Sequence, residues 1–176
     1  MTGLGEGWTS PASTAHHEAG HAVVAVVLGI TIKQVSIAPN EESLGNCIHP
    51  DVCQFGYRGA YSRRRIARDC IIVSYAGLEA EKIFNSKAEE WCSLEDEGNA
   101  FNLSREFSVL PRGCRCVGDE AHLEFLAKLQ SEARRLVRKH WPAVEALADA
   151  LIQKQRVSGE EASRIIEDAI SASGQG

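Results

Sequence analysis

His17-Glu18-Ala19-Gly20-His21 writes the pattern H-E-x-x-H inside a segment that reads as a buried helix. At about 3.6 residues per turn, side chains four apart lie nearly one above the other, so the imidazoles of His17 and His21 can reach a single cation. Glu18 sits roughly a quarter turn away, beside those ligands and not among them. That offset suits a general base that takes a proton from water, whose pKa a bound metal lowers toward about 7. The pattern therefore predicts zinc and points to peptide-bond hydrolysis. Pro11, Ser13 and Thr14 are good helix-start residues, Gly29 is a good stop, and Ala22-Val23-Val24-Ala25-Val26-Val27-Leu28 is apolar all round. A helix buried on every side carries two histidines and a glutamate only when something satisfies them.

The chain has 176 residues, enough for one domain over 1–176 and too few for two ordinary ones. Its ends, 1–10 and 171–176, are expected to be flexible. With 44% hydrophobic and 24% charged residues the composition is that of an ordinary soluble protein. The net charge of −5 argues against a nucleic-acid partner. Arg63-Arg64-Arg65 with Arg68, and Arg134, Arg135, Arg138 and Lys139, read as solvated helix faces. The longest apolar run, Ala22 to Leu28, is far shorter than the roughly 20 residues of a membrane span, and nothing has the form of a signal peptide. A cytoplasmic location without a membrane span is expected, and with it reduced cysteines. Cys70 reads as core. Cys114-Arg115-Cys116 and the pair Cys47 and Cys53 can make a second metal clip, but neither has C-x-x-C spacing.

Beyond the motif helix, Thr31-Ile32-Lys33-Gln34-Val35-Ser36-Ile37 alternates and is β-branched, which predicts a strand, and Ser43 to Ile48 can pair with it as a hairpin. Such an edge can hold an extended substrate by main-chain hydrogen bonds, or simply cap the core. His49 to Tyr61 has no period and reads as loop. Ser62 opens a long helix whose apolar face holds Ile66, Ile71, Ile72, Val73, Tyr75, Ala76, Ile83 and Phe84. Gly77 interrupts it at a cost of about 1 kcal/mol, so it is expected where a neighbour packs closely. Asn85 to Cys92 is a polar connection. A helix from Ser93 follows, with Ala100, Leu103 and Phe107 on its buried side, and Ser93 with Asp96 forms a capping pattern. Ser108 to Asp119 is a second loop. Leu123, Leu126, Leu129, Ala133, Leu136 and Val137, then Val144, Leu147, Leu151 and Ile152, carry helical spacing on either side of Pro142. Ser158-Gly159-Glu160-Glu161 is a capping box before a last helix with Ile165, Ile166 and Ile170 on its apolar side. The fold class is mainly α (α+β), helical with one small β-hairpin or sheet beside the H-E-x-x-H helix. His16 is expected to point away from the face of His17 and His21. Zinc histidines normally hydrogen-bond an outer carboxylate, for which Glu79 and Glu81 are the candidates.

Several segments together resemble the peptidase domain of the FtsH-type AAA+ zinc metalloproteases. Thr14-Ala15-His16-His17-Glu18-Ala19-Gly20-His21-Ala22-Val23-Val24 resembles the family signature, Val35-Ser36-Ile37-Ala38-Pro39 its V-S-I-x-P strand, and Ser43-Leu44-Gly45 the glycine after its turn. Ala76-Gly77-Leu78-Glu79-Ala80-Glu81 is similar to the family's A-G-R-A-A-E helix, with Leu78 and Glu79 as departures. Asp96-Glu97-Gly98-Asn99-Ala100-Phe101-Asn102-Leu103-Ser104-Arg105 resembles its D-L-x-x-A-T-x-L-A-R segment, whose aspartate is the third zinc ligand. The resemblance thus implies a zinc site of His17, His21 and Asp96 with Glu18 as catalytic base; Glu95 and Glu97 are rivals one residue from Asp96. It implies a zinc metalloendopeptidase acting on unfolded or extended polypeptide. This sequence lacks the G-x-x-x-x-G-K-[ST] phosphate loop and the membrane anchor of the full-length proteins, so ATP-independent hydrolysis is expected, with a separate ATPase or adaptor as a possible partner and an oligomer allowed. A narrow processing protease and a non-catalytic zinc-fold module that binds a partner are the alternatives.

Overall fold

A computed structural model of the chain describes residues 10–38, 46–48, 60–85, 94–106 and 119–174. Helix α1, Pro11–Val27, begins where Ser10 Oγ accepts the Ser13 N–H at 3.1 Å, with Pro11 in the first turn. Ser10 falls in the stretch expected to be flexible, yet it is this cap. The helix stops at Gly29, whose φ of 77° is left-handed. There the N–H of Gly29 donates to the Val26 carbonyl at 2.9 Å and that of Ile30 to the Ala25 carbonyl at 2.8 Å, which closes the last turn. Val23 and Val24 are fully buried, each side chain contributing on the order of 1.5–3 kcal/mol.

Strands β1, Gln34–Ser36, and β2, Asn46–Ile48, form the expected antiparallel hairpin. Then come α2, Ala60–Phe84, α3, Leu94–Glu106, α4, Asp119–Lys139, α5, Trp141–Lys154, β3, Arg156–Ser158, and α6, Gly159–Ser173. The fold is mainly α with one small sheet, as the sequence predicts. The sheet holds a third strand that was not expected: its order is β2-β1-β3, and β1 is central. Val35 stands opposite Cys47 on one side and Val157 on the other. Only Val157 of β3 is buried, so three residues offer no period to read. Gln155, at φ 60°, turns the chain out of α5, and its carbonyl accepts the Ile37 N–H at 2.9 Å. With β1 hydrogen-bonded on both sides, the outer edges of the described sheet belong to β2 and β3.

Helix α1 runs through the core, packed against α2 and α5. Its crossing with α2 is close because a Cβ at Gly20 would lie 2.6 Å from the Ala76 carbonyl oxygen and 2.6 Å from Ala80 Cβ. Helix α4 is tied to α2 by charge. Glu79, 2% exposed, accepts from Arg134 Nε at 2.6 Å, Arg134 Nη2 at 3.2 Å and Gln130 Nε2 at 3.0 Å. Arg68 donates to Asp69 at 3.2 Å and to Glu132. Arg68 and Arg134 therefore tie the two helices together from their solvent-facing side.

Leu123 and Ile152, read as core-facing, are exposed, and α6 extends through Ser173 into the stretch expected to fray. Cys70 is a buried thiol in α2. The proposed cysteine clips, the loops over 49–59 and 107–118, and Ser93 lie outside the described residues; of Cys47 only the main chain is described. Among the described residues no helix is long and apolar enough to cross a membrane.

Candidate metal centre

His17 and His21 leave α1 one turn apart and meet Asp96, which arrives from the first turn of α3. His17 Nε2 and His21 Nε2 are 3.0 Å apart, and Asp96 Oδ2 lies 3.2 Å from the first and 3.3 Å from the second. Among the described residues this is the group of histidine, cysteine and carboxylate side chains that could hold a metal ion. The rival Glu97 lies elsewhere: its charge acts on Tyr75, whose hydroxyl burial, helped by Glu97, pushes up to about 12. The side chain of Glu95 is outside the description.

The other nitrogen of each ring is engaged. His17 Nδ1 donates to Glu81 Oε2 at 3.2 Å, and His21 Nδ1 donates to the Val73 carbonyl at 2.7 Å. These partners fix the tautomers and turn both Nε2 lone pairs toward each other and toward a carboxylate oxygen. Three acceptors converging at 3.0–3.3 Å repel unless a proton or cation lies among them. Zinc bonds of about 2.0–2.1 Å in a tetrahedral arrangement separate ligand atoms by about 3.3–3.4 Å, so the spacing and the N,N,O donor set both fit that ion.

The charges of these groups favour positive charge among them. Burial disfavours the His17 imidazolium, but Asp96 and Glu81 together hold its pKa up to about 10. His21 is raised as well, against burial, chiefly by Asp96. Asp96 is itself partly buried, yet the two histidines keep its carboxyl well below the usual range. Glu18 is 6% exposed, and among the described residues no hydrogen bond reaches its carboxylate. Burial raises its pKa, and His21 and His17 oppose that rise. A carboxylate so placed is a good proton acceptor.

Gly77 makes room for the rings. A Cβ there would lie 2.6 Å from His21 Cε1 and 2.7 Å from His17 Nε2, and closer still to His21 Nε2. His16 faces away, as expected: it is buried, stacks on Phe84 at 3.8 Å, and donates from Nδ1 to the Ala12 carbonyl at 2.7 Å. Of the two outer carboxylate candidates, Glu81 is at the site and Glu79 is committed to Arg134. Sequence reasoning missed the Val73 carbonyl, for which no side-chain letter exists, and Ser13, whose hydroxyl donates to Glu81 Oε1 at 2.7 Å. A signal for Ser13 was present, since it lies one turn before His17 on the same helix face.

No protein-family profile matches the chain. Individual proteins do. The ATP-dependent zinc metalloprotease FtsH of Acidimicrobium ferrooxidans is 26% identical over 88% of the chain, and FtsH 2 of Methylacidiphilum infernorum 27% identical over 88%. FtsH 4 of Sphaerobacter thermophilus is 28% identical over 86%. The chain is distantly FtsH-like. It spans 27–28% of the length of these FtsH relatives, whereas most of the chain itself is matched.

Proposed function

We propose that the chain is a zinc metalloendopeptidase in which His17, His21 and Asp96 hold the metal and Glu18 is the catalytic base. The observation that carries this reading is the convergence of two outer-supported imidazoles and a carboxylate at 3.0–3.3 Å beside a buried glutamate. The similarity to proteins named zinc metalloproteases supports it. Three protein ligands among the described residues, where structural zinc sites have four, leave a position for reaction. Zinc at such a site lowers the pKa of water toward about 7 and acts as a Lewis acid on a carbonyl. Glu18 takes the proton of the attacking water and passes it to the amine that leaves when the peptide C–N bond breaks. Glu81 and the Val73 carbonyl keep the rings from turning.

The substrate of this reading is an extended or unfolded polypeptide, cut without nucleotide hydrolysis on these 176 residues, which carry no phosphate loop. The outer edge of β2, unpaired among the described residues and next to α1, is the strand such a substrate can join. The test is incubation of casein with the zinc-loaded chain, with and without a chelator, and read-out by mass spectrometry. Cuts that vanish with the chelator are expected. Intact casein beside a zinc-loaded chain turns the reading to a protease restricted to one partner or to a non-catalytic binding module.

A further inference from the structure

We infer that Ser13 is a positioning residue of the metal centre, acting through Glu81 on the orientation of the His17 ring. The inference rests on the metal site proposed above. Ser13 and His17 are one turn apart on α1 and present two donors to one carboxylate. The Ser13 hydroxyl reaches Glu81 Oε1 at 2.7 Å, and His17 Nδ1 reaches Glu81 Oε2 at 3.2 Å. Ser13 is 1% exposed and Glu81 2% exposed, so no water replaces a lost donor cheaply. Among the described residues, Ser13 and His17 are the groups that hydrogen-bond this carboxylate.

The position of Ser13 is itself fixed. Its N–H is the one that Ser10 Oγ accepts at the start of α1. A chain of contacts therefore runs from the helix cap to Ser13, to Glu81 on α2, and to the ring whose far nitrogen faces the metal position. With both oxygens gripped, the Glu81 carboxylate cannot turn, and His17 Nε2 stays aimed at Asp96 and His21. Without the hydroxyl, the buried Oε1 loses its hydrogen-bond donor, the carboxylate rotates, and the hydrogen bond to His17 loosens. The ring then samples orientations that do not bind metal.

A purely structural serine would change folding stability and leave metal affinity alone, so affinity is the readout. Zinc dissociation constants of the full chain are measured by competition with a chromogenic chelator for the wild type, Ser13→Ala, Ser13→Thr, Glu81→Gln and the Ser13→Ala/Glu81→Gln double variant, each verified as helical by circular dichroism. Ser13→Ala is expected to bind about tenfold more weakly, the lower end of the loss for an outer partner. Ser13→Thr, which keeps a hydroxyl, restores binding, and in the Glu81→Gln background Ser13→Ala adds no further loss. Wild-type affinity in Ser13→Ala, or an undiminished additional loss in the double variant, overturns this inference alone. A wild-type chain that takes up no zinc overturns the metal reading and the inference with it.

Discussion

Glu79 and Glu81 leave the same helix two residues apart, each 2% exposed, and do opposite things. At 100° per residue they point to different sides of α2. Glu79 meets the fixed positive charge of Arg134 and binds α4. Glu81 meets a hydroxyl and an imidazole on α1, neither carrying a permanent charge. A buried carboxylate with an arginine is a complete pair, which fastens two elements. One whose partner also faces a second carboxylate belongs to a cluster of charges that, on the proposed function, holds a cation. On the proposed function, the contrast separates a structural pair from one that serves the metal site although exposure and residue type are the same.

The sharpest way to break this contrast is to fill the space it depends on. Gly77→Ala puts a methyl group against His21 Nε2 and His17 Nε2. Metal affinity is expected to fall more than about 100-fold, beyond the loss from an outer partner. The control is Gly98→Ala, where nothing lies within 4 Å. Metal content after dialysis, measured for both, decides; retained metal in Gly77→Ala means that the rings do not pack as described.

Next in size is the structural carboxylate. Arg134→Ala leaves Glu79 buried with Gln130 as its remaining partner. Because the arginine is about half exposed and partly screened, a loss of about 2–3 kcal/mol is expected, short of that for a fully buried pair. Urea unfolding of the metal-free chain measures it. Zinc affinity should hardly move, and a large loss of affinity would merge the two carboxylates into one network. Glu81→Gln should weaken zinc about 10- to 30-fold and leave the tie between α2 and α4 intact.

How far the sequence discloses this arrangement depends on what a contact is made of. The spacing of His17 and His21, the Gly29 stop and the hairpin were legible because each is a local pattern along the chain. Gly77 was legible as a close-packing position, although not as the wall behind two imidazoles. Asp96 was reachable only through resemblance, since a carboxylate in the first turn of a helix has an ordinary capping role. Which of Glu79 and Glu81 serves the site was not legible, because that depends on how α2 is rotated about its axis. The Val73 carbonyl and strand β3 were hidden for related reasons: one is main chain, and the other is three residues long with one buried side chain.

The smallest expected effect per step is with pH. His17 in the metal-free site is opposed by burial but held protonated up to about 10 by Asp96 and Glu81. Its raised pKa stabilises the metal-free fold fully below the ordinary value near 6.5, and this contribution is lost as pH rises toward about 10. Zinc must displace that proton, so its affinity should rise about tenfold per pH unit across the same window, for one proton released. Titration calorimetry in buffers of different ionisation enthalpy counts the protons; no release would place the metal elsewhere.

The most direct test of the central claim compares the wild type with Glu18→Gln, both loaded with zinc and both offered casein, with fragments identified by mass spectrometry. Equal zinc content, with fragments from the wild type only, is the predicted result. Fragments from Glu18→Gln at the wild-type rate would contradict it, because the proton would then move without Glu18.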